Sequence, residues 1–196
     1  MLRLTLHAHG ATAANRAVAF PADEPLTPKA RAAAGAMRGR FAPIETLSSP
    51  ALRARQTAEA LGLAPHPNPA LRDVDCGRWT GAAMDAVMQH EPEAFAAFMT
   101  DPLARPHGGE AIADLMQRTA AWLEAMSSRR GRVLAITHAA VVRAALLGVL
   151  GAPLDAFWRI DVPPLSATEL VSDGRRWVWR ALPAGGGPPS GPLPAG

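Results

Sequence analysis

VLAITHAAVVRAALLGVLGAP, residues 133–153, reads as two elements joined at a histidine. Val133 to Thr137 is an unbroken apolar run without alternation. That is the pattern of a strand covered on both faces, and hence of a parallel sheet with helices above and below it. Ala139 to Leu150 is apolar nearly all round and predicts a buried helix, stopped by Gly151 and Pro153. His138 stands at the junction. Open α/β sheets bind ligands beyond the carboxyl ends of their strands, where helix N-termini turn unpaired N–H groups toward anions.

The start of the chain repeats this arrangement. Leu2, Leu4 and Leu6 alternate with Arg3, Thr5 and His7, predicting a strand that ends near Gly10, with His9 at its carboxyl end. Two histidines far apart in sequence can therefore share one pocket. Between them, Thr27 and Pro28 start a helix running to about Arg38, and Ile44 to Leu47 is a short strand. Ser48 and Ser49 cap a helix from Pro50 to about Leu61, closed by Gly62. The Pro- and Gly-rich stretch from Ala64 to Gly81 reads as a loop. Helices follow over Ala82–His90 and Pro92–Met99, and Glu110 opens another whose Ile112, Leu115, Met116, Thr119, Leu123 and Met126 share a face. Ser166–Val171 and Arg176–Leu182 form a hairpin around Asp173-Gly174. The expected fold is one α/β domain over residues 1–182, a mostly parallel sheet with helices on both faces. The tail PAGGGPPSGPLPAG, 183–196, buries nothing and is expected to be mobile.

Composition narrows the function. The net charge is only +3, and the 20 basic residues, all arginine but Lys29, are scattered, so no nucleic-acid partner is expected. Arginine over lysine, with much Ala, Gly and Pro, suggests a high-GC bacterial genome. Cys76 is the lone cysteine, which excludes an intrachain disulfide and a thiolate metal cluster. No signal peptide pattern and no 18-residue apolar run is present, so no membrane partner and a cytoplasmic location are expected.

LTLHAHGATAAN (4–15) resembles the first motif of the phosphoglycerate mutase-like histidine phosphatase family: an apolar strand, Arg-His-Gly, an acidic residue, Thr, then Asn. DEPLT (23–27), SSPALRARQTAEAL (48–61), LRDVDCGRWTG (71–81), HGGE (107–110) and AITHAAVVR (135–143) resemble its later blocks, in order and at similar spacing. The loop block is most similar to small-molecule phosphatases such as α-ribazole phosphatase. The resemblance implies a phosphoglycerate mutase-like fold and hydrolysis of a small phosphorylated metabolite, without metal or cofactor. It implies that His9 is the nucleophile and that Arg53 and His138, joined by Gly10 and Asn15, hold the phosphate. Asp73 would be the acid that protonates the leaving oxygen.

The chain departs from the family pattern at the motif itself. Ala8 stands where arginine is expected and Ala11 where an acid is expected, while Ala139-Ala140 replaces a glycine pair. Asp73 stands where most members carry Glu, with Asp75 and Glu110 as possible substitutes. A charge-assisted hydrogen bond contributes about 1.5–3 kcal/mol, so losing the arginine predicts turnover lower by roughly ten- to several-hundred-fold. Two alternatives stand beside the phosphatase. One is a phospho-ligand or partner-binding domain that no longer turns its ligand over. The other is a metal-dependent hydrolase using His7 and His9, whose (β/α)₈ barrel needs about 250 residues. His7 is read as a packing residue, Trp79 and Trp122 as core or pocket wall, and His66, His90 and His107 as surface.

Overall fold

The computed structural model describes residues 1–43 and 45–181. Strand β1 (Leu2–Ala8) is buried along its whole length. A short helix α1 (Ala13–Ala17) and α2 (Pro28–Gly35) lead to β2 (Glu45–Ser48), α3 (Leu52–Ala60) and the two-residue β3 (His66–Pro67). Helices α4 (Met84–His90), α5 (Pro92–Thr100) and α6 (Ile112–Ser127) precede β4 (Gly131–Thr137) and α7 (Ala139–Leu150). The chain closes on the hairpin β5 (Ala167–Ser172) and β6 (Trp177–Arg180). One six-stranded sheet results, in the order β3-β2-β4-β1-β5-β6. The first four strands in this order are parallel, β5 pairs antiparallel to β1, and β6 pairs antiparallel to β5.

The non-alternating run of β4 has the cause expected of it. Val133 and Ala135 face one core with Leu2, Leu4 and Leu6 of β1, Leu115 and Leu123 of α6, and Val141 and Ala145 of α7. Leu134 and Ile136 face the opposite core, with Phe41 and Ala54, Ala58 and Leu61 in and after α3. Each such buried aliphatic side chain contributes about 1.5–3 kcal/mol. The chain leaves β1 toward β2 and leaves β4 toward β5, in opposite directions across the sheet, so a crevice opens at the carboxyl ends of these adjacent strands. At the other end of the sheet, Arg3 donates from Nε and Nη2 to buried Glu169, at 3.2 and 2.8 Å.

Several boundaries differ from the sequence reading. Ser48 and Ser49 do not cap α3: the helix starts at Leu52 behind Ala51, and the Leu52 N–H is accepted by Asp23 Oδ1 at 2.7 Å instead. Ser49 Oγ accepts the N–H of Ala51, the residue just before the helix, at 3.2 Å and also contacts His138. Helix α6 begins two residues after Glu110, with the Ala111 N–H received by Asp114 Oδ2. The loop expected from Ala64 to Gly81 carries β3 and two single 3₁₀ turns, Pro69–Leu71 and Gly77–Trp79. His107 is buried rather than on the surface, edge-on to Trp79 and Phe98, with Nδ1 accepting from the Gly109 N–H. Ile44, Leu182 and the 183–196 tail lie outside the described residues. Among those described, no helix is long and apolar enough to cross a membrane.

Candidate active site

His9 and His138 arrive at the crevice on neighbouring strand ends, their ring centroids 5.0 Å apart and inclined by 64°. The His9 ring is fixed by its own backbone. Nδ1 lies 2.7 Å from the Gly10 carbonyl oxygen, which can only accept, so Nδ1 carries the proton and Nε2 presents a lone pair. That lone pair faces the Arg53 Nε–H at 3.3 Å. The same guanidinium donates from Nη1 to the Ala22 carbonyl at 2.6 Å and from Nη2 to Asp73 Oδ2 at 2.8 Å. Asp73 Oδ2 is also 3.2 Å from His138 Nδ1, and His138 Nε2 is held 2.8 Å from Ser49 Oγ. Arg53, its helix and the first motif are tied together through Thr57. The Thr57 hydroxyl donates to the Arg53 carbonyl one helical turn back and accepts the Gly10 N–H at 3.0 Å.

The loop carrying Asp73 is fixed from below. Buried Glu110 receives both Nε and Nη2 of Arg118, at 2.9 and 2.8 Å, and Arg118 turns its remaining donors to the carbonyls of Ala70, Arg72 and Asp73. Thr137 Oγ1 donates to the Leu71 carbonyl, tying the loop to the end of β4.

Electrostatics follow from burial and neighbours. Burial, then the charges of His138 and Arg53, lower the His9 pKa to about 3, so its imidazole is neutral at physiological pH. Burial opposes ionisation of Asp73, but the charge and hydrogen bond of His138, with Arg53 and His9, override it and hold the carboxyl well below its ordinary value. Cys76 is no competing nucleophile, since burial and then Asp73 and Asp75 push its thiol up to about 12.

A model of the histidine phosphatase superfamily (branch 1) matches residues 4–184. The chain belongs to this superfamily. Phosphoserine phosphatase 1 of Hydrogenobacter thermophilus is 28% identical over 130 residues, 65% of this chain and 62% of that protein, so the match spans less than two thirds of that relative. Mycobacterial glucosyl-3-phosphoglycerate phosphatase, solved as a complex with VO3, superposes with a TM-score of 0.79 at 25% identity, covering 91% of this chain and 96% of that one. A putative α-ribazole-5'-P phosphatase of Escherichia coli superposes with a TM-score of 0.83 at 23% identity, covering 94% and 97%, a likeness of fold.

In this superfamily member the sequence-derived residues divide. His9, Arg53, Asp73 and His138 converge. Asn15 lines the same cavity, but its Oδ1 is engaged by the backbone N–H and hydroxyl of Thr12. The Gly10 N–H donates to Thr57 Oγ1. Glu110 is paired with Arg118 and Arg72, and the Asp75 carboxylate accepts the Gly77 N–H; of the three acids, Asp73 lines the cavity beside His9. Ala8 is 3% exposed and brings no cation to the site. Ser49, Thr57, Arg118 and Arg143, the last lining the same cavity as His9, went unread in the sequence as parts of the site. Only Thr57 carried a signal, one turn beyond Arg53 on the same helix.

The His7–His9 metal pair does not form. His7 is fully buried, packs edge-on against Phe41 and donates from Nδ1 to the Ala8 carbonyl. His9, Asp73 and His138 could offer ligand atoms to an ion, all within 4.8 Å of one another. Arg53 already sits on two of these three, and a fixed guanidinium is a poor neighbour for a second cation.

The buried histidines make stability pH-dependent. His7 is lowered to about 4, mainly by burial, and His9 to about 3, whereas both titrate near 6.5 in the unfolded chain. Below pH 6.5 the unfolded state takes up protons that the folded state refuses, so stability is full above that pH and falls as pH drops. Each imidazole accounts for about 2 kcal/mol between pH 7 and pH 5, and the lowered Asp73 adds a further loss below its unfolded value of 3.8. Urea unfolding at the two pH values should show the loss; equal stability would mean that these rings are protonated in the fold.

Proposed function

We propose that this protein hydrolyses small phosphomonoesters through a phosphohistidine on His9. The observation that supports this best is the His9 Nε2 lone pair, set by the Gly10 carbonyl and kept neutral by burial, facing Arg53 beside His138. The relatives named above act on phosphorylated compounds, in keeping with this reading.

The steps follow from the geometry. Arg53 and His138 exchange their contacts with Asp73 for the oxygens of the incoming phosphoryl group, a fork suited to that shape. Asp73 then loses its cationic partners and faces a new anion, both of which raise its pKa and let it hold a proton. Nε2 attacks phosphorus, the bond to the ester oxygen breaks, and Asp73 protonates the departing oxygen. Water attacks the phosphohistidine, returns a proton to Asp73, and releases inorganic phosphate and neutral His9. None of these steps uses a metal ion.

Hydrolysis of p-nitrophenyl phosphate with and without a chelator tests this reading. Weak, chelator-insensitive turnover is expected, and chelator-sensitive turnover would move the chemistry to an ion. The second reading, binding without turnover, draws on buried Ala8. Ala8→Arg is expected to raise kcat/KM about tenfold or more if one missing charged hydrogen bond limits the site. Phosphate binding by a folded Ala8→Arg protein without any turnover would favour the binding domain.

A further inference from the structure

The cavity beside His9 holds an acid that the phosphoryl chemistry leaves unused. It has a volume of about 280 Å³, and beyond His9 and Asp73 its walls are largely apolar, with Phe20, Phe98, Phe157 and Trp158 among them. Glu24 is part of this wall. Both its carboxylate oxygens are shielded from solvent and neither receives a hydrogen bond, and no other carboxylate among the described residues is in that state.

The contrast with the other sheltered acids is sharp. Glu169 is paired with Arg3, Glu110 with Arg118, and Asp73 with Arg53. The adjacent Asp23 accepts the Leu52 N–H. Arg143, the one guanidinium among the described residues lining this cavity, donates its Nε to the Ile160 carbonyl and lies 5.6 and 5.7 Å over the Phe157 and Trp158 rings. A buried carboxylate without a partner is costly, and beside a site for a phosphate dianion it also repels the ligand. A hydroxyl from the ligand would satisfy hydrogen bonds and leave the charge; a protonated amine answers both.

Resting on the reading of His9 as the phosphoryl site, we propose that Glu24 selects phosphomonoesters whose alcohol portion carries a protonated amine on a short apolar skeleton. The phosphate sits at His9 and Arg53, the carbon skeleton lies against the aromatic wall, and the ammonium donates to Glu24.

Calorimetric binding of two phosphonates of matched length, 4-aminobutylphosphonate and pentylphosphonate, tests this without requiring turnover. Wild-type protein is expected to bind the amine at least tenfold more tightly, and Glu24→Gln to bring the two within about twofold. Equal affinities in wild type, or a preference that survives Glu24→Gln, would overturn the assignment. Ligand-free Glu24→Gln is also expected to melt a few degrees higher, because an uncompensated charge has been removed; an unchanged or lower melting point would show that the carboxylate is already compensated. Failure of the parent reading shows separately, as absence of p-nitrophenyl phosphate hydrolysis with the phosphonate preference intact.

Discussion

His9→Ala protein is expected to lose p-nitrophenyl phosphate turnover by on the order of 10³-fold or more, the scale on which nucleophile deletions act when no neighbouring group takes over. The replacement removes the one lone pair at the site whose tautomer is dictated by a backbone carbonyl. His138 is oriented to donate rather than attack, with Nε2 held by the Ser49 hydroxyl and Nδ1 turned to the Asp73 carboxylate at 3.2 Å, the side that the phosphoryl oxygens would take. The Cys76 thiol stays protonated. Alkaline quench of wild-type protein turning over a radiolabelled phosphomonoester should trap a base-stable phosphoryl label that later acid treatment releases and that His9→Ala lacks. Turnover within tenfold of wild type, or a label that persists in the variant, would move the attacking group elsewhere.

Gly109→Ala is expected to destabilise the fold by about 3 kcal/mol or more and to take activity down with it. A Cβ at position 109 would stand 2.1 Å from the Asp75 carbonyl oxygen, and one at Gly77 would stand 2.2 Å from that of His107. Two backbones cross here at a separation that only glycine permits, locked by Glu110 N–H to Asp75 O and Arg78 N–H to His107 O, at 2.8 and 3.0 Å. The steric conflict is with main chain on both sides, so relief must shift one of the two segments, and one of them carries Asp73. Gly148→Ala supplies the internal control. Nothing lies within 4 Å of a Cβ there, on an exposed turn of α7, so the change is expected to stabilise by about 0.5–1 kcal/mol. Urea midpoints of the two variants should therefore move in opposite directions.

The sheet was legible because strand period and burial are coupled. The unbroken run Val133–Thr137 could only be covered on both sides, and the alternation of Leu2, Leu4 and Leu6 marked the strand beside it. His9, Arg53, Asp73 and His138 were legible through family resemblance, since no periodicity singles out an arginine in a helix. What escaped was contact made across the fold. The Ser48-Ser49 pair has the composition of a cap, yet Ser49 reaches only the Ala51 N–H, and the first N–H within α3, that of Leu52, is accepted by Asp23 from 29 residues earlier. His107 stands in a Pro- and Gly-rich stretch that reads as surface, and it is buried by aromatics from Trp79 and α5. The Glu110–Arg118 clamp beneath the Asp73 loop spans two turns of chain and was invisible as a pair. Glu24 was read only as part of the DEPLT block.

The place of β1 in the sheet sets an order of events during synthesis. Strand β1 is flanked only by β4 and β5, which are made more than 120 residues after it. Until residue 137 emerges, the most apolar N-terminal stretch has no partner on either edge, and the pocket has no second imidazole. Nascent chains stalled before that point should engage hydrophobic-segment chaperones, and those stalled after it should release them.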